Sequence, residues 1–132
     1  MKFTNQEYKK LEKMREIWNS AYDKPPQNVT ELAIELMKKN NCYLELDNNC
    51  CCQVFPLHTG VYFISNVAVR KEKQGKGLGT IFINKIHDKY RGIFLLKTRS
   101  SKKFWEHMGY KVIYKSKGRY TMAYVNQDIN IL

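Results

Sequence analysis

Residues 61–79 restrict the architecture more than any other part of the sequence. An apolar run over 61–69 reads as a strand. A basic loop dense in glycine follows, Arg70-Lys71-Glu72-Lys73-Gln74-Gly75-Lys76-Gly77-Leu78-Gly79. An amphipathic segment comes next, with Leu78, Ile81, Phe82, Ile86 and Tyr90 on one helical face. A strand that feeds a glycine loop and then a helix aims several backbone N–H groups and a positive helix end at one point. That arrangement holds phosphates without a metal. The spacing excludes two common alternatives. A Walker loop needs Gly-Lys-Ser/Thr, and here Gly79 runs directly into Thr80. A dinucleotide fingerprint needs G-x-G-x-x-G, which Gly75, Gly77 and Gly79 do not supply.

Around this segment the pattern predicts a mixed α/β (α+β) fold, a mainly antiparallel sheet flanked by helices. Thr4 and Glu7 have capping-box spacing ahead of Tyr8, Leu11, Met14 and Trp18 at helical intervals. Pro25-Pro26 ends that helix, and Asn28 with Glu31 opens a second, closed by Asn40-Asn41. Strands are expected at 42–46 and 50–57 around an Asp47-Asn48-Asn49 turn, and at 93–97. A closing hairpin of 111–115 and 119–125 turns at Lys117-Gly118. A short helix over 101–108 precedes Gly109. With 132 residues and no linker or repeat, residues 1–132 are expected to form a single domain.

Two motifs carry a resemblance to a known family. Gln74-x-x-Gly77-x-Gly79 after a Val67-x-Val69 strand end resembles the acetyl-CoA-binding motif of the GNAT superfamily of N-acetyltransferases. Phe104-Trp105-Glu106-His107-Met108-Gly109-Tyr110 resembles the aromatic-pair segment that follows it there, with one strand between the two as in the family. The resemblance covers about residues 61–114. It implies a twisted sheet whose central strand splays from its neighbour, leaving backbone groups of Val67, Ala68 and Val69 for the pantetheine arm. It also implies a pyrophosphate cradle of Gln74, Gly75, Lys76, Gly77, Leu78, Gly79 and Thr80, and direct acetyl transfer from acetyl-CoA to a primary amine on a small molecule or protein. The family's usual opening strand is not obvious, since only Met1 to Phe3 precede the first helix.

The sequence departs from the family in two places. Many members carry a carboxylate base on the central strand, whereas 61–69 has no Asp or Glu and places Phe63 and Ser65 there. Many use a tyrosine acid in the aromatic pair, where Trp105 stands; an indole cannot protonate a thiolate as a phenol can. Ser65 and Asn66, which could hold a proton-relaying water, and Tyr110 are therefore the candidate catalytic residues. His58 and His107 stand behind them. An acceptor amine of low pKa would need no strong base.

The net charge of +11 falls entirely in the second half: residues 1–66 hold 8 Lys+Arg and 8 Asp+Glu, residues 67–132 hold 15 and 4. Lysines around Phe104, Trp105, Tyr110, Tyr114, Tyr120 and Tyr124 have the ingredients of nucleic-acid binding. Three readings stay open: an N-acetyltransferase of small amines or proteins, an acyltransferase of nucleic acid or aminoacyl-tRNA, and a non-catalytic nucleic-acid-binding module. A homodimer is compatible with each. No apolar run approaches the roughly 18 residues of a membrane span, so a cytoplasmic protein with no membrane partner is expected. The four cysteines, Cys42, Cys50, Cys51 and Cys52, offer no metal-ligand spacing, because consecutive strand residues face opposite ways. They are expected to be buried thiols.

Overall fold

The structure, a computed structural model, describes residues 5–22 and 42–126. Residues 1–3, the Thr4–Glu7 cap and the expected second helix near 28–40 lie outside that description. Along the chain run α1 (Asn5–Ala21), β1 (Tyr43–Leu46), β2 (Cys50–His58), β3 (Val61–Val69), a 3-10 turn (Lys71–Lys73) and α2 (Leu78–Lys89). These are followed by β4 (Ile93–Thr98), α3 (Lys102–His107), β5 (Lys111–Ser116) and β6 (Arg119–Val125). The strands form one six-stranded sheet in the order β1-β2-β3-β4-β6-β5. Every neighbouring pair is antiparallel except β3 and β4. This is the mixed, mainly antiparallel sheet with flanking helices that the sequence pattern predicts. The β1–β2 turn closes on Asp47, whose Oδ1 accepts from the amides of Asn49 at 2.8 Å and Cys50 at 2.7 Å.

A core packs on each face of the sheet, while the edge strand β5 is exposed throughout. Cys50, Cys52, Val54, Ile64, Phe94, Leu96 and Met122 pack against Phe82, Ile83 and Ile86 of α2 and Trp105 of α3. On the opposite face Leu44, Cys51 and Ala68 pack against Leu11, Met14, Ile17 and Trp18 of α1, with Cys42 beside them. The three consecutive cysteines alternate between these two cores, as the pleat requires. Burial pushes the Cys51 thiol up to about 12 and those of Cys42 and Cys50 to about 11, so all three stay protonated and unreactive at neutral pH.

The α2 face differs from its sequence-based assignment. Ile81 is 52% exposed, and the buried positions are Phe82, Ile83, Ile86 and His87. The helix is rotated so that an imidazole, rather than Ile81, completes the apolar stripe. His87 stacks on Tyr124 with ring centroids 4.1 Å apart and shares a 2.8 Å hydrogen bond with the Tyr110 hydroxyl. That bond satisfies two polar tips inside the core.

Burial lowers the His87 pKa from 6.5 to about 4, against a weaker opposing pull from Asp88. The folded-state pKa is depressed, so the unfolded chain binds the extra proton first. The stabilisation is complete above pH 6.5 and is lost as pH falls towards 4. Urea unfolding midpoints should therefore drop between pH 6.5 and 5, before carboxylates titrate. His87→Phe should flatten that slope while lowering the midpoint at pH 7, because Tyr110 loses its partner.

Candidate active site

The site begins where two parallel strands part. β3 pairs with β4 only through Val61–Ile93, Tyr62–Phe94 and Phe63–Leu95, while its antiparallel pairing with β2 continues to Val69. Beyond Phe63 the far half of β3 has no ladder partner on the β4 side. β4 itself remains fully paired with β6 through Thr98. The divergence leaves a cleft of about 800 Å³ between the C-terminal halves of the two strands.

A bulge shapes the β3 wall. Ser65 pairs with Gln53 and Ala68 with Cys51, so Asn66 and Val67 together oppose the single Cys52. Asn66 takes a left-handed φ of 52°, which asparagine tolerates better than most residues. The extra residue shifts the side-chain alternation. Ile64 faces α2 before the bulge, and Val67 and Val69 face it afterwards, while Ala68 turns towards α1.

The last turn of α1 holds this bulge in place. Trp18 Nε1 donates to the Asn66 carbonyl at 2.7 Å, and the Tyr22 hydroxyl, four residues on, donates to the Val67 carbonyl. Asn66 Nδ2 donates to Gln53 Oε1 at 2.7 Å, and Gln53 is almost wholly buried. Two successive carbonyls are thus drawn towards α1. In a trans peptide the N–H points opposite to its carbonyl, so the Val67 amide is directed away from α1. Burial pushes the Tyr22 phenol up to about 12.

The glycine loop closes the other end. Gly75 and Gly77 have φ of 78° and 77°, a conformation that side chains disfavour, and the space beside each is open. Gly77 caps α2 without a side-chain hydrogen bond, and no acidic residue lies in the first turn. The Leu78, Gly79 and Thr80 amides therefore precede the first intrahelical bond, which Ile81 makes to the Gly77 carbonyl at 3.2 Å. Gly79 sits against Val69 and Phe104, where an added Cβ would come within 3.3 Å of Val69 Cγ2. Gln74 folds back, its Nε2 donating to the Val69 carbonyl at 3.0 Å, and so braces the loop on the strand. Lys76 is exposed.

Most of the expected site residues converge. Ser65, Asn66, Val67, Ala68, Val69, Gln74 and Gly79 all line the cleft. Gly75, Lys76, Gly77, Leu78 and Thr80 form the loop and first turn beside it. Asn66 shapes the bulge, since its side chain is bonded within the sheet. Tyr110 is placed elsewhere. It is 2% exposed, does not line the cleft, and its hydroxyl is held by His87 and pushed further up by burial. Its place is the aromatic core with Trp105 and Tyr124. His58 and His107 are exposed and outside the cleft. Tyr22 lines the cleft and was not singled out by sequence, although its four-residue spacing from Trp18 puts two polar-tipped aromatics on one helix face.

The interleaved aromatics of the basic half are mostly structural. Phe104, Trp105, Tyr110, Tyr120 and Tyr124 join the main core, and Tyr114 alone of the six is a large exposed ring. Lys102 and Lys115 lie over the Tyr120 ring, with Nζ 4.8 and 5.3 Å from its centroid.

A splayed parallel pair, a bulge and an uncapped helix after a glycine loop together frame one cleft, in a fold of the acetyltransferase (GNAT) class. The sequence model of the acetyltransferase (GNAT) domain matches residues 38–112, and the chain belongs to that family. No curated protein matches it in sequence. Among solved structures, a GNAT-family protein from Bacteroides thetaiotaomicron superposes with a TM-score of 0.73 at 12% identity, over 97% of this chain and 87% of that one. A GNAT acetyltransferase from Elizabethkingia anophelis with acetyl-CoA bound gives 0.62 at 13%, over 84% and 89%. A ribosomal-protein-alanine N-acetyltransferase from Escherichia coli gives 0.62 at 13%, over 98% and 97%. At these identities the three likenesses speak for the fold.

The clamp and the core tyrosine make separable predictions. Trp18→Phe keeps the ring but removes the donor to Asn66, which should cost about 1–3 kcal/mol in urea unfolding and raise amide exchange at the bulge. Tyr110→Phe should cost about 1 kcal/mol and leave turnover unchanged. A collapse of turnover in Tyr110→Phe with stability intact would restore it as a catalytic residue.

Proposed function

We propose that the protein transfers an acetyl group from acetyl-CoA to a primary amine, on a small molecule or a protein, by direct transfer. The observation that carries this reading is the parting of β3 from β4 beyond Phe63, next to a glycine loop and an uncapped helix start. The residues fit the cofactor. The Leu78, Gly79 and Thr80 amides, with the open approach at Gly75 and Gly77, suit a pyrophosphate, and Lys76 adds charge. The stretch of Val67, Ala68 and Val69, which has no ladder partner on the β4 side, suits an arm bearing amide groups. Acetyl-CoA would supply an activated thioester.

The chain's own part is positional and electrostatic. The Val67 amide, turned away from α1 by the Trp18 bond to the Asn66 carbonyl, is the donor suited to a developing oxyanion. Ser65 and Tyr22 provide hydroxyls at the cleft wall. No Asp or Glu lines the cleft among the described residues, so these residues offer no carboxylate base and suit an acceptor that arrives as the neutral amine.

Calorimetric titration with acetyl-CoA tests the reading. Gly77→Glu puts a carboxylate where phosphates would sit and should abolish binding. Gly60→Glu makes the same change at φ 73°, also into open space, at the opposite end of β3, and should leave binding intact. Absence of binding in the wild type, or equal binding in all three proteins, would refute the proposal.

A further inference from the structure

The cleft wall contains three cationic residues, Lys97, Arg99 and Arg119, and no acidic one among the described residues. All three are exposed, and none has a side-chain hydrogen bond or ion pair among the described residues. Their placement separates them from the glycine loop. Leu96 packs into the α2 core, so its neighbour Lys97 projects from the other face of the sheet. Tyr120 also packs on the α2 side, which puts Arg119 on the same face as Lys97. Lys97 is paired with Thr121, two residues from Arg119, so the two cations are diagonal neighbours across β4 and β6. The start of α2 lies on the opposite face, where Gly79 contacts Val69 and Phe104. A cofactor threaded through the notch with its phosphates at the loop would present its thioester towards the face of Lys97, Arg119 and Tyr22.

We infer that the acceptor is a primary amine carrying an oxyanion, a carboxylate or a phosphate, close to its nitrogen, and that Lys97, Arg99 and Arg119 hold that anion. This rests on the acetyl-transfer reading and specifies its second substrate. Three positive charges with no carboxylate concentrate anions in the cleft and repel polyamines. The same charges disfavour an ammonium ion and lower the pKa of a bound amine, which meets the need for a neutral nucleophile without a carboxylate base. The nitrogen lone pair then forms the C–N bond, and the C–S bond breaks with its electron pair on sulfur. The proton lost from nitrogen completes the coenzyme A thiol.

The test compares amino acids with the matching amino-acid amides, aminoalkyl phosphates and spermidine as acceptors, in wild type, Lys97→Ala, Arg119→Ala and Arg119→Glu. Acids or phosphates should be preferred over the amides, and the faster of the two identifies the oxyanion. Either alanine variant should raise KM for the anionic acceptor about tenfold or more, the scale of one charge-assisted hydrogen bond, while KM for the amide changes far less. Equal use of acid and amide, or a preference for spermidine, would overturn the inference. So would single-stranded oligonucleotide binding that depends on these residues without acceptance of any small anionic amine. Calorimetry with coenzyme A in all four proteins separates the two failures. Intact coenzyme A binding with no anion preference overturns this inference alone, and loss of coenzyme A binding in the wild type takes the acetyl-transfer reading down with it.

Discussion

The site depends on two hydrogen bonds from one helix turn to one β-bulge. Trp18 and Tyr22 draw the Asn66 and Val67 carbonyls to α1, and Gln53 anchors the Asn66 side chain from the neighbouring strand. Without a donor each carbonyl would be a poorly solvated acceptor beside an apolar core, so the bulge and the helix stabilise each other. The consequence extends along the strand. Because the bulge adds one residue, Val67 and Val69 face the α2 core while Ala68 fits under α1, and β3 can leave β4 without exposing apolar side chains. A cleft through the middle of a sheet is costly unless the strand bordering it is buried and hydrogen-bonded on its other side. Here β2 supplies that second side along the whole of β3.

The rest of the core makes this strand pair rigid. β2 begins with Cys50, Cys51 and Cys52, small side chains that let helices approach from both faces. Across β4, Phe94 contacts the rings of Tyr62, His87 and Tyr124, which join α2 to β4 and β6. The parting of the strands therefore lies between two well-packed halves. Its loop end is fixed by short contacts: the Lys71 amide donates to Ser20 Oγ at 2.9 Å, and Arg70 Nε donates to the Asn48 carbonyl at 2.9 Å.

Much of this was legible in the sequence. The bounds of β3 and β6 coincide with their apolar and alternating runs, and the glycine loop lies between the expected strand and helix, because those signals are local. The bulge also left a trace, in the slip from Ile64 to Val67 and Val69, but a phase slip in so short a run reads equally as a strand buried on both faces. Tyr22 escaped notice because its role is set by a strand 45 residues away. Tyr110 misled in a related way. It carries a titratable group that suggests chemistry, and only three-dimensional packing shows it satisfied by His87 in the core. The cationic wall was visible as composition, but which lysines and arginines border the cleft follows from sheet register.

The central claim is that the far edge of β3 is held free for the cofactor arm. Amide hydrogen exchange at Val67 and Val69, with and without coenzyme A, tests it most directly. The account predicts a marked gain in protection at these amides on binding, with little change along β6. Coenzyme A binding that leaves their exchange unchanged would contradict it.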